Sequence, residues 1–252
     1  MSKHNSKSQW LAQDSGLDAR MEATSRMARE FSHSLSTPLS VILSNSERLV
    51  SRLQDRPELL PYLEDILAVS RSSATLMQRI SELSRSHPSV QTTVEVHGLL
   101  HSLIEPLKID PGNLEITLRL EADLDKVLGD PQALMEALRA VLDNSLEAMS
   151  GSGTLDIESC TLDSQAVPAL EGRPPLPWLK ITVADSGPGM DPKLISKIFD
   201  PFFTTRENKK NSGLGLAHAY GIIRSHGGRI GLQSTLGAGV TVEFLLPLVI
   251  ST

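Results

Sequence analysis

Ile181-Thr-Val-Ala-Asp185-Ser-Gly187-Pro-Gly189-Met190 is the stretch whose reading decides the fold. It ends a strand read from Trp178 to Ala184 and delivers Asp185 to a turn, where two glycines permit backbone conformations closed to other residues. A carboxylate held at such a point can accept a hydrogen bond from the exocyclic amine of adenine, and Gly187 lets the main chain approach the ring. Taken alone, Asp-Ser-Gly-Pro-Gly is also ordinary turn chemistry. The neighbouring sequence has to discriminate.

Downstream, Asn211-Ser-Gly213-Leu214-Gly215-Leu216-Ala-His-Ala-Tyr-Gly-Ile-Ile places glycines before an apolar-periodic helix. Free backbone N–H groups and the helix dipole then face whatever lies in front, which makes a phosphate site. The plainer alternative is a flexible loop ending in a glycine-rich cap. Upstream, Asp130-Pro131 opens a helix, with Asp as N-cap and Pro at the first helical position; it runs to Met149 and stops at Gly151. Leu134, Leu138, Val141, Ser145 and Met149 share its core face, with Asn144 at the edge. An amide there can ligate Mg²⁺ through its carbonyl oxygen while the ion bridges phosphates. Between the two glycine elements, Lys197-Ile-Phe199-Asp-Pro-Phe202-Phe203-Thr-Thr-Arg206 and the following Glu-Asn-Lys-Lys read as an anchored lid with a charged tip. Arg206, Lys209 and Lys210 are either within reach of phosphate oxygens or simply a solvated charge run.

Further strands are predicted at Leu114–Leu120, Thr154–Cys160, Arg229–Ser234 and Val240–Leu246, with a short helix at Gly98–Leu107 and a proline-rich loop over 162–176. This mixture predicts an α+β sandwich, one mixed sheet with helices on one face. The N-terminal part differs. Residues from about Ser15 to Val50 read as one long helix with Phe31, Leu35, Ile42 and Leu49 in a stripe. Pro57 breaks the pattern, and a second helix runs from about Glu58 to Ser86 with Leu63, Ile66, Met77 and Ile80 apolar. One helical hairpin cannot bury both stripes, whereas two copies pairing as a four-helix bundle can, so a homodimer is expected. His87-Pro-Ser-Val-Gln-Thr-Thr reads as the linker, dividing a 15–88 hairpin from a 95–250 domain.

The net charge of -6 over 252 residues gives no general attraction to nucleic acid or an anionic membrane surface. The single cysteine, Cys160, excludes an internal disulfide and is expected to be a small buried apolar residue. No run of eighteen apolar residues forms a membrane segment, and the polar start lacks a signal-peptide pattern, so a cytoplasmic location is the expectation.

Four elements in this order, over residues from roughly 20 to 248, resemble the catalytic core of sensor histidine kinases, closest to the nitrogen-regulation-like branch with its Pro-Phe-Phe-Thr-Thr lid. The resemblance implies an ATP-binding domain of the GHKL (Bergerat) type after a dimerisation and phosphoacceptor hairpin. It makes Asn144 the Mg²⁺ ligand, Asp185 the adenine acceptor, Gly187 and Gly189 the first glycine box, and Gly213, Leu214, Gly215 and Leu216 the second. Gly237 and Gly239 match the last glycine motif, which brings Thr241 to the nucleotide.

Phe31-Ser-His33-Ser34-Leu35-Ser-Thr37-Pro38-Leu39 is similar to the phosphoacceptor box of the same family. On a helical wheel His33 points away from the apolar stripe, Thr37 lies one turn later beside it, and Pro38 is expected to kink the helix. A neutral ring nitrogen on the solvent face is available as a nucleophile near pH 7. The resemblance implies that His33 takes the γ-phosphoryl of ATP and passes it to an aspartate of a response-regulator receiver domain, with Thr37 positioning water for dephosphorylation. Three positions depart from the pattern: Ser34 where an acid usually follows the histidine, Ala140 one turn before Asn144, and Val240 ahead of Thr241. The first two motivate a second reading, a degenerate kinase that binds nucleotide or partner as a scaffold with little phosphotransfer. A hydrolytic ATPase of the same superfamily is the third.

Overall fold

A computed structural model describes residues 15–83, 91–109, 112–165, 176–205 and 213–249. The chain opens with α1 (Ser15–Arg52), a 3₁₀ turn at Pro57–Leu59 and α2 (Leu60–Leu83). Pro57 starts the turn because its missing N–H costs nothing at a first helical position. α1 runs as helix without a break through Pro38.

The seam inside this hairpin takes in Leu63 of the α2 stripe and runs beside the α1 stripe. Where the two helices meet, the covered positions of α1 include Leu39, Leu43, Ser46 and Val50, and those of α2 include Leu63, Leu67 and Ser70. Serines on both sides let the helices come close, and Arg71 Nη2 closes an ion pair on Glu47 Oε1 at 3.1 Å. Leu35, Ile42 and Leu49 of α1 stay exposed, as do Tyr62, Ile66 and Val69 of α2. The side chains of Phe31 and Ile80 lie outside the described residues.

The second part has β1 (Thr92–Glu95), α3 (Val96–Ile109), β2 (Asn113–Leu120), β3 (Lys126–Gly129), α4 (Pro131–Met149), β4 (Ser152–Leu162) and β5 (Trp178–Asp185). It continues with α5 (Pro192–Ile195), α6 (Gly215–Ser225), β6 (Arg229–Ser234) and β7 (Val240–Pro247). Five strands form one mixed sheet in the order β2-β4-β5-β7-β6. β2 runs parallel to β4, with α4 in the connection, and every other pair is antiparallel. A separate ribbon pairs β1 with β3, and β1 starts inside the stretch 87–93 that reads as a linker.

Alternation along the strands turns Leu155 and Ile157, Leu179, Ile181 and Val183, and Val242, Phe244 and Leu246 inward. They share one core with Leu134, Leu138 and Val141 of α4 and Ala219, Ile222 and Ile223 of α6. Cys160 falls on the other parity, opposite Lys180, and is exposed, which corrects the expectation of a buried residue. Partial burial by its neighbours still pushes its thiol up, against the opposing pull of Lys180. No helix of the described residues is long and apolar enough to cross a membrane.

The two helices that matter most are tied together at one end. Asp130 caps α4 by accepting from the N–H groups of Gln132 and Ala133 at 2.9 and 3.3 Å. Its own N–H donates to Nε2 of buried His226, just past α6, at 3.0 Å. His226 Nδ1 in turn donates to Ile222 O at 2.7 Å.

Candidate functional site

A cleft of about 590 Å³ lies between α4, α6 and the end of the sheet, a size suited to a small organic ligand. Its floor is apolar, with Val240 and Val242 of β7 and Leu232 of β6. One end of it is organised by Asp185. β5 ends there on the inward parity of Ile181 and Val183, so the carboxylate is only 7% exposed. Three donors hold it: Ser145 Oγ reaches Oδ2 at 2.9 Å, while the N–H groups of Gly187 and Val240 reach Oδ1 at 2.9 and 3.2 Å. α4, the β5 turn and β7 thus meet on one side chain.

The glycines around it are required by contact. At Gly239, with φ +85°, a Cβ would stand 1.8 Å from Asp185 O. At Gly189, with φ +63°, it would stand 2.1 Å from Thr235 O. At Gly187 it would press on Asp185 Oδ1 at 2.9 Å and on Ala148 Cβ at 3.2 Å. The two turns nest with no room for side chains.

The other end of the cleft is set by Asn144 and the start of α6. Asn144 Nδ2 donates to Ala140 O at 2.8 Å, which assigns the nitrogen to the helix and the carbonyl oxygen to the opposite end of the amide. A Cβ on Gly215 would sit 3.7 Å from Asn144 Nδ2 and 3.8 Å from Ala140 Cβ, so the first turn of α6 lies against Asn144. Leu214 precedes that turn without a side-chain cap, leaving the first N–H groups for an acceptor in the cleft. Gly213, at φ +65°, has no space for a Cβ beside the backbone of Phe202 and Phe203, and Phe202 N–H donates to its carbonyl at 3.0 Å. Phe199 anchors this segment on Tyr220 of α6, ring centroids 5.5 Å apart.

Asn144, Asp185, Gly213, Leu214, Gly215 and Leu216 all line the cleft, and Gly187 and Gly189 frame it. Thr241 does not line it: strand alternation presents Val240 and Val242 to the cleft and turns Thr241 to the other face of β7. The lid tip with Arg206, Lys209 and Lys210, and the side chain of His33, lie outside the described residues. Thr37 is exposed on α1 and borders a shallow groove with Ser36, Ser40 and Asn45, away from the cleft.

Several lining residues carried no separate signal. Ser145 reads as core until its hydroxyl is seen on Asp185; Met190, Phe203 and Leu232 read as ordinary apolar residues. Glu136 and His218, on facing turns of α4 and α6, meet at 3.3 Å between Oε2 and Nε2. Their 82-residue separation hides the pairing from sequence periodicity. The wall is otherwise acidic: Asp143, Glu147 and Asp185 stand with Arg139. Burial pushes the Asp143 carboxyl above its ordinary value; Arg139 opposes this and Glu147 reinforces it.

With this geometry in view, residues 129–250 match the family described as Histidine kinase-, DNA gyrase B-, and HSP90-like ATPase. The signal transduction histidine-protein kinase AtoS of Escherichia coli (strain K12) is 29% identical over 250 residues, 93% of this chain and 38% of AtoS. The chain spans less than half the length of the curated relatives it matches. Full-length ShkA, crystallised in complex with AMPPNP, shares the fold with a TM-score of 0.65 at 23% identity, over 91% of this chain and 47% of that one. Histidine kinase ThkA in complex with response regulator protein TrrA shares it at 0.56 and 24% identity, over 92% of this chain and 64% of that one.

Proposed function

We propose that this chain, whose residues 129–250 match the histidine kinase-, DNA gyrase B-, and HSP90-like ATPase family, is the core of a two-component sensor kinase. In this reading it phosphorylates His33 from Mg-ATP and passes the phosphoryl group to an aspartate of a response regulator. The observation that carries the reading is the meeting of Asp185, Asn144 and the uncapped start of α6 in one cleft. Asp185 accepts from the adenine amine, oriented by Ser145, Gly187 and Val240, while Leu232, Val240 and Val242 offer the ring an apolar bed. The first turn of α6 takes phosphate oxygens on its N–H groups.

The donor set fits Mg²⁺, which favours a site of few protein ligands completed by phosphate and water; Asn144 Oδ1 would hold it, and the ion would neutralise charge on the phosphates. His33 supplies the nucleophile from α1, and Thr37, one turn on, positions water when the partner is dephosphorylated. The 15–88 hairpin is the dimerisation and phosphoacceptor unit, 95–250 the ATP-binding unit, and the setting cytoplasmic. The likeness to ThkA bound to TrrA supports a receiver domain as the partner.

The test is incubation with γ-labelled ATP and Mg²⁺. Label that is acid-labile, alkali-stable and lost in His33→Gln is expected; absence of label at any protein or nucleotide concentration sinks the kinase reading. Ser34 and Ala140 favour a second reading, a degenerate kinase acting as a nucleotide-bound scaffold. Nucleotide binding by calorimetry without label, unchanged in Ser34→Glu, selects it. Ala140, close to Gly215, offers no carboxylate where a hydrolytic ATPase would need a base, which argues against the third reading.

A further inference from the structure

The His218–Glu136 pair lies outside the contacts assigned to adenine, Mg²⁺ and the first turn of α6. His218 stands one turn into α6, three residues after Gly215, with its side chain 18% exposed. Glu136 stands on α4 one turn before Ala140 and two before Asn144. Both line the cleft at the end away from Asp185, and their ring nitrogen and carboxylate oxygen lie 3.3 Å apart. The charge around them poses a problem. Glu136, Asp143, Glu147 and Asp185 give the described cleft wall four carboxylates, with Arg139 and His218 as the side chains able to carry positive charge. A triphosphate brings further negative charge to the end where Glu136 stands, and like charges at such range repel unless something intervenes.

We propose that His218, held in the cleft wall by Glu136, is a contact for the terminal phosphate and makes the site prefer a triphosphate to a diphosphate. The inference rests on reading the cleft as an ATP site. Glu136 Oε2 accepts from Nε2 and holds the ring, and in the doubly protonated ring the Nδ1–H donates to the outermost phosphate oxygens. A diphosphate, seated on Asp185 and the start of α6, does not extend to His218 and gains nothing from it. The residue is thereby separated in role from Asn144 and Gly215, which serve both nucleotides.

Calorimetry with Mg²⁺ on the full chain tests this, using ADP and a non-hydrolysable ATP analogue against His218→Leu and His218→Lys. His218→Leu is expected to weaken the analogue about tenfold and leave ADP within about twofold, the loss of one charge-assisted hydrogen bond. His218→Lys is expected to restore most of the preference. Equal losses for both nucleotides, or no loss for either, overturn the contact, and unchanged ADP binding certifies that the variant is folded. Failure of the unaltered chain to bind either nucleotide overturns the ATP-site reading itself, a separate result.

Discussion

Asp185 concentrates structure and chemistry in one side chain. Three donors from three elements end on its carboxylate, so removing it strands a hydroxyl and two N–H groups in a buried place. Asp185→Ala is expected to weaken nucleotide binding by about tenfold to a hundredfold and to lower stability by about 2 kcal/mol, measured by calorimetry and by urea unfolding. The glycines allow a sharper comparison. Gly239→Ala forces a Cβ to 1.8 Å from Asp185 O at φ +85°, and is expected to cost more than about 3 kcal/mol. Gly237→Ala, at φ +79° but in open space, is expected to cost about 1 kcal/mol. Similar losses in the two would mean that backbone strain, not contact, fixes the last glycine motif. At this scale the sequence was informative wherever the residue type itself carries the chemistry, as at Asp185 or Gly213. It was silent on Ser145 and His218, whose roles arise only when α4 meets β5 and α6. The last glycine motif points Thr241 to the cleft, and strand parity turns it away.

Among the elements, α4 and α6 form the two walls of the cleft, and the bond between Asp130 N–H and His226 Nε2 ties them at one end. Asp130→Ala removes the cap alone and is expected to cost about 1 kcal/mol. His226→Leu leaves the Asp130 N–H without its acceptor and is expected to cost about 1–3 kcal/mol. The two losses should fall short of adding in the double variant, because both changes loosen the same helix start; strict additivity in urea unfolding would show the ends to be independent. Elements were legible in proportion to length and periodicity. α4 was read from Asp130 to Met149 because cap, proline and apolar spacing agree. β1 and β3, four residues each, are too short to display a period, and their pairing joins Thr92 to Gly129 across the whole of α3 and β2.

For the whole molecule, the notable surface is the hairpin. A covered seam through Leu43, Ser46, Leu63 and Leu67 leaves Leu35, Ile42, Leu49, Ile66 and Val69 facing outward. This second apolar face is what a four-helix bundle made with another copy would cover, and it underlies the proposed homodimer. Ile42→Glu combined with Ile66→Glu is expected to convert a dimer to a monomer by light scattering while far-UV circular dichroism holds. An unaltered chain that is monomeric at high concentration would remove the basis for the bundle. The stripe is legible as apolar, but the face that meets α2 buries Ser46 and is met by Ser70, and hydropathy does not mark serines as seam residues.

The sequence distances spanned by these contacts differ by region, and that bears on the order of assembly in time. The hairpin ion pair closes over 24 residues, whereas Ser145 reaches Asp185 over 40, Val240 reaches it over 55, and Asp130 meets His226 over 96. Shorter loops cost less entropy to close, so the hairpin should acquire its helices well before the sheet is sealed by its last strand. In a Trp10→Phe variant, Trp178 on β5 becomes the single indole and reports that sealing step. Its fluorescence change should lag the helical signal in stopped-flow refolding. On the ribosome, the N-terminal hairpin would then be folded and available to a neighbour while the cleft between α4 and α6 is still being synthesised.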